Sequence, residues 1–505
     1  MLGMTAPTGA RTTTLMQLDE IRSFSGPADT VGLSDAVIDD FAKTDPALCS
    51  AVSEAAQSHR SLREEWAEEL RRPEAEVITL VQRGFVNFYS PETVNPYITL
   101  AARGPWVVTS HGAVLHDSGG YGMLGFGHGP GAVIDAMSKN HVMANVMSAN
   151  FSQLRLTQRL HREIGHSRGG CPFERFICVN SGSESVTVAL RIADVNTKRQ
   201  LATGGAHAGK RPMLMSLQGS FHGRTDRPAQ VSDSCLPAYR KHLNSFAERD
   251  NLITIPPNDV EALHAAFAHA DANGIFIEAF FIEPVMGEGN PGMAVSRPFY
   301  DAARSLSANH RSLLVVDSIQ AGLRGTGVLS IVDYPGFSDA DPPDLEAFSK
   351  ALNAGQFPLS VLALSARAVA LYQCGIYGNT MTTNPRALEV AVAVLDSVTD
   401  DLRENIRVRG VELVDKLNQL AEELGEGVIT GVQGTGLLLA AELDPERFSV
   451  IGADGIENRC RKAGFGVIHG GKNALRLTPH FGITSPEIDL IVGIIRDVLT
   501  DAMKD

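Results

Sequence analysis

The chain has 505 residues, of which 44% are hydrophobic and 20% charged, so it can bury a large core and form two or three domains. Its formal net charge of −14 argues against nucleic acid or an anionic membrane as a partner. The six cysteines show no CxxC spacing, no apolar stretch reaches membrane-span length and the N-terminus lacks a signal pattern, which predicts a soluble, cytoplasmic protein with reduced thiols.

Residues 1–88 are predicted to form a partly helical N-terminal extension. It begins with a polar stretch, rich in Thr and Gly, that is expected to be mobile. Residues 34–41 and 61–70 follow, both with apolar side chains at helical spacing and with acidic first turns. These two segments are predicted to be helices.

Three further regions follow the extension. Residues 89–130 contain a strand-like segment, 106–109, and lead into a glycine-rich run. Residues 131–385 alternate strand and helix patterns, which predicts an α/β domain with a mainly parallel sheet and helices on both faces. A long helix opens residues 386–505, and a smaller α+β domain is expected there.

A turn rich in small residues follows the apolar segment that begins at Phe176. Ser181 with Glu184 fits a capping box at the start of a helix, and such a helix N-terminus has free backbone N–H groups that attract anions. Gly182 would let the backbone approach a phosphate closely, and the Ser181 and Ser183 hydroxyls would add donors. The turn therefore predicts an anion site, although an ordinary helix cap has the same pattern.

Two later apolar segments end in carboxylates, at Glu283 and Asp317, and Lys350 follows a third. In open α/β sheets ligands bind outside the carboxyl ends of the strands, so these side chains are expected to meet in one crevice. A partly desolvated lysine has a lowered pKa and a free amine for imine chemistry. Phe221, two residues before Gly223 in a polar turn, can present its face to a planar ring. The fifteen histidines are scattered and predict no metal site.

Seven strings occur in one order from about residue 90 to the C-terminus: NSGSES, FHGRT, IEPVMGEG, VVDSIQAG, FSKAL, YGNTMTTNP and LRLTP. In these strings the chain resembles the class III aminotransferases, the pyridoxal-phosphate enzymes of fold type I that include the ornithine, lysine-ε, 4-aminobutyrate and ω-amino acid transaminases. The resemblance implies a large α/β domain, a smaller α+β domain and a transamination in two half-reactions. An amino acid or amine would be the donor and an oxo acid, aldehyde or ketone the acceptor, with pyridoxamine phosphate formed in between.

The resemblance assigns eleven residues to cofactor binding: Ser181, Gly182, Ser183, Phe221, His222, Glu283, Asp317, Ile319, Gln320, Lys350 and Thr380. Lys350 matches the catalytic lysine that forms the Schiff base and moves the proton. Asp317, also catalytic, matches the acid that keeps the pyridine nitrogen protonated. Ser181, Gly182 and Ser183 match the phosphate cup.

Three of the other assigned residues surround the cofactor ring in the family, and a fourth reaches the phosphate. Gln320 matches the residue that hydrogen-bonds the phenolic oxygen of the ring. Ile319 matches the apolar contact beneath the ring, and Phe221 the aromatic residue stacked above it. Thr380 matches a threonine that reaches the phosphate from the neighbouring subunit, which implies a homodimer with shared active sites. The extension would then pack on the dimer; a lid or a carrier-protein dock is the alternative.

Three residues match substrate positions in the family. Arg476 corresponds to the arginine that clamps an α-carboxylate, and Glu283 to the acid that pairs with it when an ω-amine enters. Tyr121 corresponds to a residue that lines the pocket for the substrate tail.

The chain departs from the family at several of these motifs. It reads Asp317-Ser-Ile-Gln where the family usually reads Asp-Glu-Val-Gln, and its Arg324 stands one place early in a Gly-Arg-Thr-Gly motif. The glycine-rich run after the lysine is Asn-Ala-Gly-Gln, at residues 353–356. Two alternatives remain open on sequence alone: a racemase, epimerase or decarboxylase on the same fold, and a non-catalytic binding protein.

Overall fold

A computed structural model describes residues 12–504, so most of the polar start of the extension lies outside the described residues. The extension contains four helices: α1 Thr13–Phe24, α2 Asp35–Ala42, α3 Pro46–Leu70 and α4 Glu74–Gln82. The predicted helices 34–41 and 61–70 correspond to α2 and to the second half of α3. Helix α1 was not predicted because its N-terminus is a run of threonines; the Thr12 side chain caps it, and Leu18 and Ile21 are fully buried.

The next three strands are β1 Thr99–Arg103, β2 Trp106–Thr109 and β3 Val114–Asp117. They form an antiparallel sheet, and a short strand near the C-terminus, Phe465–Gly466, joins it parallel to β3. The predicted strand at 106–109 is therefore confirmed as β2. The N-terminal and C-terminal parts of the chain share this sheet.

The large sheet has seven strands: β4 Arg175–Val179, β5 Arg211–Leu217, β6 Leu252–Ile255, β7 Ile275–Ile282, β8 Leu313–Asp317, β9 Leu345–Phe348 and β10 Ser360–Leu364. Their order is β4-β10-β9-β8-β7-β5-β6. Strand β10 runs antiparallel to both of its neighbours, and the other pairings are parallel. The predicted mainly parallel sheet is confirmed. Every residue of β7, β8, β9 and β10 is buried, as expected of a sheet covered on both faces.

The remaining helices are α5 Gly131–Ser138, α6 Phe151–Glu163, α7 Gly182–Leu201, α8 Asp226–Ala229, α9 Leu236–His242, α10 Val260–Ala272, α11 Arg297–Asn309, α12 Ala366–Leu371, α13 Pro385–Asp396, α14 Asp400–Leu424, α15 Ile456–Lys462 and α16 Ser485–Ala502. Helix α7 packs on one face of the large sheet, and α10 and α11 pack on the other.

The remaining strands are β11 Ile429–Thr435, β12 Leu438–Leu443, β13 Phe465–Gly466, β14 Ile468–Gly470 and β15 Ala474–Leu477. All but β13 form a third sheet, ordered β11-β12-β15-β14. The domain boundaries near residues 88, 130 and 385 stay predictions. Within residues 12–504, none of the helices combines the length and the apolar character needed to cross a membrane.

A buried cluster of polar side chains attaches α16 to β3. One oxygen of Glu487 accepts hydrogen bonds from the Nε2 atoms of His116, at 3.2 Å, and His480, at 2.9 Å. The other oxygen accepts from the backbone N–H and the hydroxyl of Thr484, which completes the helix cap. Burial alone would raise the pKa of Glu487, but the hydrogen bonds from His116 and His480 outweigh it and hold the pKa well below its usual range.

Replacing Glu487 should therefore destabilise the fold. We expect Glu487→Gln to lower the free energy of unfolding by about 1–3 kcal/mol, because an amide cannot accept as many hydrogen bonds from these buried donors. Since the folded-state pKa is lowered, the contribution is present above the unfolded pKa near 4.5 and is lost as the pH falls through the folded pKa. Thermal unfolding at pH 7 and pH 4 measures this, with Glu442→Gln at an exposed position of β12 as control. Equal stability of both variants at pH 7 would contradict the prediction.

Candidate active site

The carboxyl ends of the parallel strands surround a cavity of about 190 Å³. All but two of the residues predicted from the sequence line it: Ser181, Gly182, Ser183, Phe221, His222, Glu283, Asp317, Ile319, Gln320, Lys350 and Arg476. The two exceptions are Tyr121 and Thr380. Gly223, Gly287, Glu288 and Ser349 complete the lining.

The predicted anion site lies at the N-terminus of α7. The Ser181 hydroxyl accepts from the N–H of Glu184, while the Glu184 carboxylate accepts from Asn180 N–H, one residue before the cap, at 2.7 Å. The first N–H groups of the helix have no intrahelical acceptor and face an anion site. A Cβ on Gly182 would lie 2.7 Å from Ile319 Cδ1, so a larger residue there would have to displace the Ile319 side chain.

Asp317 ends β8 and is 3% exposed. Its Oδ2 lies 2.8 Å from His222 Nδ1, and its Oδ1 accepts from Ile319 N–H at 3.1 Å. Because an ionised carboxylate can only accept, His222 Nδ1–H is the donor in this pair. Both contacts hold the carboxylate in a fixed orientation at the base of the cavity.

Lys350 directly follows the buried strand β9 and Ser349. Its φ of +43° is unusual for a residue with a side chain, and such strain is often found at functional sites. Its Nζ donates to Gln320 Oε1. Burial and the charge of Arg476 together lower the pKa of Lys350 to about 8, against the opposing effects of Glu288, Asp317 and Glu283. The amine is therefore partly neutral near physiological pH.

Glu283 follows β7, and both of its oxygens bind backbone N–H groups. Oε1 accepts from Phe221 at 3.0 Å and Oε2 from Gly287 at 2.9 Å. Burial raises the pKa of Glu283 to about 7, despite the charge of His222 and these two hydrogen bonds. Arg476, on β15, donates from Nη1 to the Gly287 carbonyl. Among the described residues there is no ion pair between Glu283 and Arg476, so the expected pairing of these two side chains is not seen.

Glu288 lines the same cavity as Arg476, and the described residues show no ion pair between the two. Burial lowers the pKa of Arg476, and Glu288 is the charge that most opposes this shift; it also opposes the shift of Lys350. Glu288 Oε1 lies 3.8 Å from Arg224 Nη2. Glu288 and Arg224 were not predicted from the sequence, although they stand in the strings IEPVMGEG and FHGRT. In these strings, roles were assigned to Glu283 and Phe221 instead. The charge of Glu288 and Arg224 next to a glycine-rich turn was the available signal.

The rings of Phe221, Tyr89 and Tyr121 form an aromatic cluster between Arg224 and Arg476. The Arg224 guanidinium lies 5.5 Å from the Phe221 ring and 5.7 Å from the Tyr89 ring. Tyr89 stacks on Tyr121 at 6.0 Å, and Tyr121 lies 5.6 Å from the Arg476 guanidinium. Tyr121 is thus outside the cavity lining but close to Arg476, which lines it. Tyr89 was not predicted, because nothing in its local sequence separates it from an ordinary loop tyrosine.

Thr380 lies away from Lys350. It is exposed and lines a different cavity, of about 660 Å³, together with Asn145, Val146 and Met147. The loop is attached to the anion site, since Asn379 Nδ2 donates to Glu184 Oε1 at 2.9 Å. In a single chain, Thr380 does not reach the cavity of its own Lys350.

The residues of the cavity fit pyridoxal phosphate. The N-terminus of α7 offers N–H groups to a phosphate, and Lys350 offers an amine to an aldehyde. Asp317 offers a carboxylate to a pyridine nitrogen. Gln320 Nε2 is buried without an acceptor in the described structure, which suits a donor to a phenolic oxygen.

Comparisons with known proteins agree with this arrangement. The family model described as aminotransferase class-III matches residues 88–499. An acetylornithine aminotransferase of Xanthomonas axonopodis pv. citri is 31% identical over 314 residues, which is 62% of this chain and 71% of that protein. Ornithine aminotransferase 2 of Staphylococcus aureus is 27% identical over 406 residues, 80% of this chain and 94% of that one.

Solved structures show the same fold. The ornithine aminotransferase of Toxoplasma gondii ME49 superposes with a TM-score of 0.72 at 23% identity, covering 88% of this chain and 99% of that one. A transaminase from the marine bacterium Virgibacillus gives a TM-score of 0.69 at 18% identity, covering 85% and 99%. A match over most of the chain, together with the fold and the cavity, shows that this protein belongs to the class III aminotransferases, which are pyridoxal-phosphate-dependent transaminases of fold type I.

Proposed function

We propose that this aminotransferase takes the ω-amino group of an α,ω-diamino acid, such as ornithine or an N-acylated ornithine, and transfers it to an α-keto acid. The observation that carries the proposal is that Glu288 lines the cavity together with Arg476 and lies 3.8 Å from Arg224. A site with two cations and a carboxylate can hold either of two substrates with different charge patterns. The names of the relatives, ornithine and acetylornithine aminotransferases, support the same substrate class.

In this proposal Lys350 moves the proton. Pyridoxal phosphate, when bound, supplies the electron sink that lets a proton leave the carbon bonded to the substrate nitrogen. Lys350 Nζ accepts that proton in its neutral form and later returns it, which its lowered pKa permits. Asp317, oriented by His222 and Ile319 N–H, holds a negative charge toward the pyridine nitrogen.

Arg476 and Glu288 distinguish the two half-reactions. An α-keto acid brings a carboxylate, and Arg476 has a buried Nε–H without an acceptor to receive it. An ω-amine brings no carboxylate to that position, and Glu288 then balances the charge of Arg476. The carboxylate at the far end of the diamino acid would bind Arg224, which is half-exposed between the Phe221 and Tyr89 rings. We assign to Glu288 the role that the sequence analysis gave to Glu283.

The active unit in this proposal is a homodimer. A group of exposed apolar side chains surrounds the Thr380 loop and the start of α6: Val142, Met143, Val146, Met147, Phe151, Leu154 and Met381. Apolar surface of this extent on a soluble enzyme supports an interface between copies. Such an interface would bring Thr380 to the phosphate site of the partner subunit. The cytoplasmic location stays part of this proposal.

Lys350→Ala should abolish turnover while the fold remains. We expect a loss of at least about 10³-fold in kcat, because no other amine lies in the cavity to move the proton. In the wild-type enzyme, one half-reaction begins with Lys350 as a free amine. Its rate should rise as the pH increases through about 8, because only the neutral Nζ of Lys350 can accept the proton. Stopped-flow spectra of each half-reaction measure both effects. Wild-type turnover without any keto acid, detected as deuterium uptake at Cα, would favour a racemase instead.

Arg476→Ala should damage the two half-reactions unequally. With an α-keto acid, the lost charge-assisted contact should cost about 2–5 kcal/mol, or roughly 30- to 4,000-fold in rate at low substrate. The half-reaction with ornithine should be largely spared.

Glu288→Gln should have the opposite effect, since Arg476 would then lack its balancing charge when the ω-amine enters. Glu283→Gln is the matched control, because Glu283 binds backbone N–H groups and is not the acid proposed to balance the charge of Arg476. Single-turnover spectra of all three variants decide the matter. Selective loss of the ornithine half-reaction in Glu283→Gln, with Glu288→Gln unaffected, would return the role to Glu283.

Complementation tests the shared site. Thr380→Ala should weaken cofactor binding, and mixing it with Lys350→Ala subunits should restore part of the activity, because each mixed dimer would contain one site with both residues. Separate affinity tags allow the heterodimer to be purified and assayed. A pure heterodimer without activity would show that Thr380 does not act across the interface.

A further inference from the structure

The carboxylate of Glu346 is buried behind the turn that carries Asp317, Ile319 and Gln320. Glu346 is in the middle of β9, four residues before Lys350, and is 0% exposed. In the register of the sheet it lies opposite Val316, while Asp317 lies opposite Ala347. Because side chains alternate along a strand, Glu346 is on the face away from Asp317, within the main apolar core.

Three donors converge on this carboxylate. Ser318 Oγ donates to Oε1 at 2.6 Å, Ile331 N–H donates to the same oxygen at 3.0 Å, and Ser330 Oγ donates to Oε2 at 2.5 Å. Both serines are themselves buried. Among the described residues, Glu346 has no cationic partner within ion-pair distance. Burial raises its pKa to about 7, although all three hydrogen bonds favour the charged form.

The position of Ser318 explains why a costly buried acid is present. Ser318 stands between Asp317 and Ile319, where the family usually has a glutamate. Its hydroxyl is in contact with Glu346 Oε1, so a longer side chain at position 318 would extend into the space that the Glu346 carboxylate fills. Two carboxylates at this distance would repel each other in a low-dielectric environment.

We infer that Glu346 is a positioning residue that supplies, from the neighbouring strand, the carboxylate that the family usually has at position 318. It attaches the turn carrying Asp317, Ile319 and Gln320 to the strand that carries Lys350. The Ser318 N–H donates to Ala347 O at 2.9 Å, so the turn is bound to β9 through backbone as well as side chain. Misplacement of catalytic groups by about 1 Å can cost roughly 100-fold in rate, which gives this attachment a functional consequence.

A pair of variants of equal size separates hydrogen bonding from packing. Glu346→Gln keeps an acceptor for Ser318 and Ile331, while Glu346→Met fills the same space without one. In the holoenzyme, we expect Glu346→Met to weaken the affinity for pyridoxal phosphate and to lower kcat by roughly 10- to 100-fold each, with KM little changed. Glu346→Gln should stay within about threefold of wild type. Equal values for the two folded variants would overturn the inference.

A double-mutant cycle tests the exchange of the acid directly. Ser318→Glu alone should weaken cofactor affinity and lower the Tm, because it introduces a second carboxylate beside Glu346. Ser318→Glu combined with Glu346→Val returns the acid to the family position, and should recover cofactor affinity to within about threefold of wild type. Additive losses in the double variant would refute the exchange. Glu278→Gln is the control, because this buried glutamate of β7 pairs with Arg227 and should change only the Tm.

The inference rests on the roles proposed for Asp317 and Gln320. Measuring Asp317→Ala in parallel separates a failure of those roles from a failure of the positioning role of Glu346. An Asp317→Ala enzyme with wild-type affinity and kcat would refute those roles. An impaired Asp317→Ala enzyme beside an unimpaired Glu346→Met enzyme would refute the positioning role of Glu346 alone.

Discussion

The exclusion of water from the carboxyl ends of five parallel strands is the constraint on which the rest of the site depends. Strands β7, β8 and β9 are buried along their whole length, so the residues that follow them enter a region of low dielectric. In water, a lysine amine is protonated and an isolated carboxylate interacts weakly with its neighbours. At these strand ends, the pKa of Lys350 falls to about 8 and that of Glu283 rises to about 7. The chemistry of the site follows from this burial.

Burial of so many ionisable groups is tolerated because each of them has specific partners. Glu283 binds two backbone N–H groups, Asp317 binds His222 and Ile319, and Glu346 binds two serines and one backbone N–H. Arg476 is the exception, since it has one backbone acceptor and an unpartnered Nε. A buried guanidinium with unused donors is costly in the absence of an anion. The hydrogen bonds of the acids hold each carboxylate in a fixed orientation, whereas Arg476 keeps an unused donor.

Strand ends predicted Ser181, Glu283, Asp317 and Lys350, and the resemblance to the family supplied most of the other site residues. Asp317, Lys350 and the turn at Ser181 each end an apolar run, and parallel strands bring such ends to one edge. Hydrogen-bonding and stacking partners that are distant in sequence could not be predicted. Nothing near Glu346 indicates that it binds Ser318, 28 residues away, and nothing near Tyr89 indicates that it stacks on Tyr121. The sequence did not distinguish Glu283 from Glu288, because both acids stand in the same glycine-rich string.

The departures from the family motif are also explained by the hydrogen bonds that buried charged groups require. Arg324, one place early in its motif, is fully buried and donates to the carbonyls of Leu437 and Pro479, so it joins the large sheet to the C-terminal part of the chain. Its charge has no acidic partner in the described residues, and burial lowers its pKa to about 9. Arg324 also donates to the Gly122 carbonyl at 3.4 Å, so three backbone carbonyls accept from it at this position. The exchange at Ser318 and Glu346 has the same explanation. What is retained is the location of a charge and of its hydrogen bonds, and the position in the sequence that provides it can change.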